Sequence, residues 1–259
     1  MKKKNFGFTL AEGATHIDLP PTNAKAGFTL AEVLITLGII GIVAAMTLPT
    51  LITNANHKKN AAMLKEDFSI LSQVMLMALD SGKLAALPNN ANNMNNMKKW
   101  FNDALLPNLK TVNVCYDEPG CWLGTEKYLN GQKSDIKASK KGCGQATISF
   151  SLSNGSTICY DDFYGKDLYN KFGVKGHGNT NDFNTRNLVF YVDVNGSQKL
   201  PNVYGKDIFI FVFDAENDTM VPAGRDRSES DVTKDCSMTG TGRFCAAAAK
   251  RNGWNPPKL

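Results

Sequence analysis

Apolar positions divide this chain into stretches of different period. From Phe28 to Ile52 they run almost without a break, FTLAEVLITLGIIGIVAAMTLPTLI, and no formal charge lies between Glu32 and Lys58. That is long enough for a helix to cross a bilayer, which takes roughly 20 residues. Farther on the period changes. Ala61, Leu64, Phe68, Leu71, Val74, Met75 and Leu79 recur at spacings of three and four, the stripe of an amphipathic helix, and Gly82 closes it. A helix from Phe28 to about Ser81 would be roughly 80 Å long, its first half suited to lipid and its second to a protein surface.

The Asn-rich run 88–96 reads as a loop, followed by a short helix over Met97–Leu106 that stops before Pro107. Beyond it the period is two. Ala146–Leu152 alternates through Ile148, Phe150 and Leu152, Asn154-Gly155 supplies a hairpin turn, and Ser156–Tyr160 returns. Asn187–Val194 and Asp207–Phe213 form a second pair around VNGSQKLPNVYGK, while Tyr164–Asn184, rich in Gly, Asn and Asp, reads as a surface loop. Arg243–Arg251 is a short C-terminal helix closed by Asn252-Gly253. A helix lying across an antiparallel sheet is an α+β arrangement.

Ahead of the apolar run stands a repeated hexapeptide. GFTLAE occurs twice, at Gly7–Glu12 and at Gly27–Glu32. The first copy continues into GATHIDLPPTNAK, polar and twice interrupted by proline, which neither spans a membrane nor sustains a helix. Only the second heads a hydrophobic segment. A secretory signal would place its apolar stretch before the cleavage point; here that order is reversed. Lys2, Lys3, Lys4 and Lys25 ahead of the run favour a cytoplasmic N-terminus, which puts everything after about Ile52 outside.

Gly-Phe-Thr-Leu-Ala-Glu directly ahead of an apolar run resembles the cleavage and methylation signal of type IV prepilins and type II secretion pseudopilins. The resemblance is specific from Gly27 to about Leu51 and loose beyond. It implies that a prepilin peptidase and methyltransferase of the inner membrane cuts after Gly27 and methylates the new amine of Phe28. It also implies a pilin-like α+β fold. The divisions expected are a leader at 1–27, a transmembrane and filament-core helix at 28–52, its amphipathic continuation at 53–81, and an extracytoplasmic domain at 82–259. Partners would be other pilin or pseudopilin subunits, an inner-membrane assembly platform and lipid.

Glu32 stands just inside the apolar segment, where a carboxylate is costly unless it is paired or at the headgroup level. The resemblance implies that it neutralises the Phe28 amine of a neighbouring subunit and so fixes the register of assembly, an attraction strengthened by low dielectric. Pro49 removes a helical hydrogen bond and kinks or locally melts the turn before it. It reads either as the end of a membrane helix or, as the resemblance implies, as the place where the helix bends and extends during assembly.

Removing the leader leaves 232 residues, enough for an anchor and one domain, and takes the formal net charge from +5 to +3, since the leader holds four lysines and two acids. Neither that charge nor any arginine-rich cluster points to nucleic acid. All six cysteines, Cys115, Cys121, Cys143, Cys159, Cys236 and Cys245, follow the anchor, and an even count outside the cytoplasm reads as disulfides. Local closure predicts Cys115 with Cys121, Cys143 with Cys159, and Cys236 with Cys245. The stretch 193–211, DVNGSQKLPNVYGKDIFIF, resembles a strand connection found in pilin-like proteins. Its Asp193, Asn195 and Asp207 are oxygen donors of a kind calcium accepts, but an EF-hand loop needs further acids and a closing Glu that are missing. It therefore reads first as a structural turn, with calcium as the lesser candidate and no other cofactor expected.

Catalytic patterns are missing as well. There is no HExxH, CxxC, GxSxG or GxxxxGK[ST], His57 and His177 have no ligand neighbours at metal spacing, and Ser134–Lys137 matches SxxK without its companion motifs. His57, Lys58 and Lys59 read as a positive cluster just outside the membrane, suited to lipid headgroups or to acids of a neighbour. Trp100, Trp122 and Trp254 read as packing residues. Three functions are left by these patterns: a structural filament subunit; a minor pilin or tethered adhesin whose loops at 117–145 and 164–186 touch DNA, a surface or an exported protein; and, least favoured by the missing motifs, a membrane-anchored enzyme, which requires a pocket with convergent polar groups.

Overall fold

A computed structural model describes residues 27–84, 94–134, 141–144, 147–175, 186–214 and 216–259. The leader up to residue 26 and most of the Asn-rich run lie outside the described residues, as do parts of the two loops expected as contact surfaces. The chain divides into two compact units, 1–50 and 51–259, with the border inside the first helix.

That helix, α1, runs over Leu30–Asp80. In its second half Leu64, Leu71, Val74 and Met75 of the predicted stripe are buried, Ala61, Phe68 and Leu79 are half-buried, and Ala78 is buried beside them. It ends with Gly82 at φ +70°, a left-handed position that glycine occupies at no steric cost. The next helix, α2, spans Met94–Ala104 and buries Met97, Trp100 and Phe101. It begins earlier than expected, and a 3-10 turn at Leu106–Asn108 takes Pro107 in its first turn, where the missing N–H costs nothing.

Six strands come next: β1 (Thr111–Tyr116), β2 (Ile148–Leu152), β3 (Thr157–Tyr164), β4 (Arg186–Asp193), β5 (Ile208–Asp214) and β6 (Thr219–Pro222). They form one antiparallel meander in sequence order. The architecture is α+β and pilin-like. The edge strands β1 and β6 were not anticipated. TVNVCY leaves Val112 exposed at the sheet edge and TMVP is only four residues, so neither carries a clean alternation. Two helices were also missed. Gly165–Phe172, here α3, occupies the first part of the stretch read as a loop, and Glu229–Asp235, α4, is capped by the Ser228 side chain accepting from Asp231 N. The last helix, α5, is Cys245–Arg251, with Gly253 just beyond it at φ +63°.

Both faces of the sheet are covered. Phe150, Tyr160, Phe190, Val192, Phe211 and Phe213 pack with the buried stripe of α1 and with α2. From the same strands Val189, Tyr191, Ile210 and Val212 point the other way, against Leu168 and Phe172 of α3, Trp122 and Tyr204. Two buried faces explain why VFYV and IFIFVF are continuous apolar runs instead of alternating ones. Trp100 and Trp122 are buried, and Trp254 lies half-buried with its ring 4.6 Å from that of Phe68, so all three pack.

A buried polar contact fixes helix to sheet. Asp67, fully buried on α1, accepts from Asn154 Nδ2 at 2.8 Å and from Ser156 Oγ at 2.6 Å, both in the β2–β3 turn. Gly155 sits there at φ +99°. Burial pushes the Asp67 carboxyl up to about 6, partly offset by these two donors and reinforced by the neighbouring Glu66. Three disulfides close short loops: Cys115 with Cys121, Cys143 with Cys159, and Cys236 with Cys245. Each links residues at most 16 apart, so each restrains the unfolded chain by about 2–3 kcal/mol in the loop-entropy account.

This packing makes both the cross-links and the buried carboxyl testable. Reduction of the detergent-solubilised chain should lower its melting temperature by at least about 5 °C; an unchanged melting temperature would show that the cross-links do not support the fold. The Asp67 effect has a definite sign, because its folded value of about 6 exceeds the ordinary 3.8. The stability supplied by its proton is fully present below about pH 4 and is lost as pH rises through about 6. Asp67→Asn should therefore reduce the decline in unfolding free energy between pH 4 and pH 7 by about 2–3 kcal/mol in denaturant titrations. A slope equal to that of the parent would mean that the carboxyl does not titrate in this window.

Candidate functional site

Two places carry chemistry that the core does not require. The first is the start of α1. Phe28 is 88% exposed and Gly27 has open space where a Cβ would stand. Thr29 and Glu32 close on one another: the Thr29 N–H and Oγ1 both donate to Glu32 Oε2, at 2.8 and 2.7 Å, while Glu32 N donates to Thr29 Oγ1 at 3.2 Å. This is a capping box, in which a Thr N-cap and a Glu three residues on satisfy each other's free N–H groups. Sequence reasoning missed it, although the T-x-x-E spacing within GFTLAE is its signature; the charge of Glu32 alone does not point to Thr29. The carboxylate holds its register through Oε2, and Oε1 has no partner among the described residues.

From Phe28 onward the apolar side chains point outward: Leu30, Ile35, Ile40, Met46 and Leu51 are all exposed. Among the described residues α1 is the one helix long and apolar enough to cross a membrane, and none of its apolar window is buried. Thr36 and Thr47 turn their hydroxyls back onto the carbonyls of Val33 and Val43, so these two polar groups are satisfied within the helix. Pro49 lies inside the helix and does not end it. Gly27, Phe28 and Glu32 thus lie within six residues of one another where the helix starts, and Pro49 stands about five turns farther on.

The second place is the connection between β4 and β5. Asp207 accepts from Val203 N at 2.6 Å and from Asn202 N at 3.0 Å, and Asn195 Nδ2 reaches the same carboxylate at 3.3 Å. Asp193 receives Asn195 N at 3.2 Å. Asn202 Nδ2 donates to Ser197 O at 2.8 Å, and Ser197 Oγ donates to Cys121 O at 2.6 Å, tying the connection to the Cys115–Cys121 loop. Burial pushes Asp193 up to about 8, reinforced by the charge of Asp207, and burial raises Asp207 and Glu126 too. Asp193, Asn195 and Asp207 are thus brought together, but as acceptors and donors that hold a loop. Among the described residues no group of three His, Cys, Asp or Glu side chains converges as a metal ion would need.

His57, read as part of a positive cluster, has its Nε2 2.9 Å from Pro256 O, and Lys258 Nζ donates to Asn54 Oδ1 at 3.1 Å. The fold adds two lysines that the sequence left apart. Lys199 and Lys206 line one cleft with Lys59, Asn56 and Asn60.

No curated protein and no solved structure matches the chain. One family model does match, the prokaryotic N-terminal methylation motif, over residues 22–48. That span contains the glycine, the phenylalanine, the capping box and most of the exposed apolar helix. It points to a structural subunit and to inner-membrane anchoring. On this match and this geometry, the chain carries at its N-terminus the prepilin-type signal of type IV pilins and pseudopilins.

Proposed function

We propose that this chain is a filament subunit. It is cut after Gly27 by a prepilin peptidase, methylated at the new amine of Phe28, held in the inner membrane by the first half of α1, and polymerised through that half into a type IV pilus or a type II secretion pseudopilus. The sheet domain stands outside the membrane. The observation that carries this reading is the apolar stretch of α1, none of whose apolar window is buried, headed by Gly27-Phe28 and the capping box. A helix that is apolar on all sides is stable only in lipid or among other helices, and copies of itself supply such surroundings without a second partner.

Glu32 gains a defined part in this scheme. Its Oε2 is held by Thr29 of its own chain, which leaves Oε1 to accept from the Phe28 amine of a neighbour. Within an apolar bundle that pairing removes two isolated charges at once, while a shifted register leaves both unpaired, an error costing several kcal/mol. Thr29 therefore positions the carboxylate that selects the register.

Sheared surface filaments should yield a polypeptide that starts at N-methylated Phe28; a Met1 start confined to membranes would overturn the processing and the polymer together. Glu32→Ala should leave membrane insertion intact and reduce recovery in filaments by roughly tenfold or more, and recovery equal to the parent would remove its role in register. Thr29→Ala weakens the cap by about 1 kcal/mol and frees the carboxylate to rotate, so its filament yield should fall between those two.

A further inference from the structure

Resting on the reading of Phe28–Ile52 as a membrane segment, the structure points to a second lipid contact, made by the sheet domain itself. We propose that the cleft between the start of the protein-packed half of α1 and the β4–β5 connection binds the phosphate headgroup of an anionic phospholipid, in the leaflet from which Ile52 emerges.

The cleft holds about 310 Å³ and is lined by Asn56, Lys59 and Asn60 of α1 and by Lys199, Leu200 and Lys206 of the connection. Among the described residues none of the three lysines has an ion-pair partner. The acid that also borders the cleft, Asp207, is buried and has both carboxylate oxygens occupied by Val203 N, Asn202 N and Asn195 Nδ2. Among the described residues the rim is therefore lined by three lysines with no unoccupied acid beside them, which is the complement of a phosphodiester.

Three further observations favour a lipid over other anions. Lys59 follows Ile52 by about two turns, roughly 10 Å along the helix, which brings it to the outer edge of a headgroup layer about 5–8 Å deep and within reach of a lysine side chain. Leu200 is 72% exposed between Lys199 and Pro201, an apolar tip flanked by a cation and suited to the boundary between headgroups and acyl chains. The connection is braced: Asn60 Nδ2 donates to Lys206 O at 3.4 Å, and Asp207 ties down the residues after Pro201. The backbone that carries Lys199 and Lys206 is thus placed by the fold before any contact. Juxtamembrane lysines outside a preformed cleft would attract an anionic surface without selecting its phosphate.

The test uses the full chain in nanodiscs of phosphatidylcholine alone and of phosphatidylcholine with phosphatidylglycerol in equal parts, read by amide hydrogen exchange. Residues 197–206 should exchange roughly fivefold or more slowly in the anionic discs, and the gain should vanish at high salt and in a Lys59→Gln, Lys199→Gln, Lys206→Gln variant. Unaltered exchange of residues 188–192 in that variant establishes that it is folded; Lys199→Gln alone, at an exposed position, should lose part of the gain if the triple variant is not. Equal exchange in the two lipids overturns the proposal, and so does a gain that survives the substitutions. Protection by inorganic phosphate in detergent to the same degree makes the cleft a site for free anions and overturns the lipid assignment. Protection appearing only in assembled filaments assigns the cleft to acids of a neighbouring subunit and overturns it likewise. Rapid exchange of residues 33–48 in every disc would instead show that the membrane segment itself has been misread, an outcome that also sinks the filament reading.

Discussion

From Phe28 to Ile52 this protein has no interior of its own. Side chains such as Leu30, Ile40 and Met46 stand more than half exposed, and none of the apolar window is covered by the rest of the described chain. At about 25 cal/mol for each Å² of apolar surface, leaving such a segment in water is not sustainable, and it needs an apolar surrounding of the kind lipid supplies. The internal fold answers to the same constraint, because α1 changes character where it meets the domain. Past Ala61 its apolar positions narrow from all sides to a stripe, and the stripe is what the sheet buries.

The domain secures that stripe by a buried directional contact as well as by apolar area. Asp67 reaches the β2–β3 turn and is paired there with Asn154 and Ser156. Apolar packing is tolerant of sliding, since one leucine replaces another at modest cost, whereas a buried carboxylate with two donors fits at one register only. The price is a carboxyl that ionises reluctantly. On the far face the sheet is closed by α3, Trp122 and Tyr204, and three short disulfides hold the segments that lack regular structure.

How much of this was legible depends on the length over which a pattern persists. The 28–52 run and the stripe of 61–79 extend over many turns and were plain, as was the β2–β3 hairpin with Asn154-Gly155 at its tip. The strands β1 and β6 were not, since an edge strand such as TVNVCY faces water with Val112 and buries little else. The helix α3 was hidden because GKDLYNKF carries few apolar residues, with Leu168 and Phe172 buried one turn apart. At the candidate sites the sequence named Gly27, Phe28 and Glu32 but not the Thr29 cap, and it named Lys59 without Lys199 and Lys206. The last two reach the cleft through a turn whose path is set by Asp207, a tertiary arrangement with no periodic signature.

The duplicated GFTLAE then bears on what makes the signal. Both copies contain T-x-x-E, at Thr9–Glu12 and at Thr29–Glu32, so both encode the side chains of a capping box. A cap alone contributes about 1 kcal/mol, far less than nucleating a helix in water costs a short segment. The copies differ in their continuations, GATHIDLPP after the first and VLITLGIIG after the second. In lipid every backbone N–H must be satisfied within the helix, and the cap at Thr29 then closes a helix that its surroundings already enforce. The capping box is therefore informative only beside an apolar run, and the pairing of the two, not the hexapeptide, distinguishes Gly27 from Gly7.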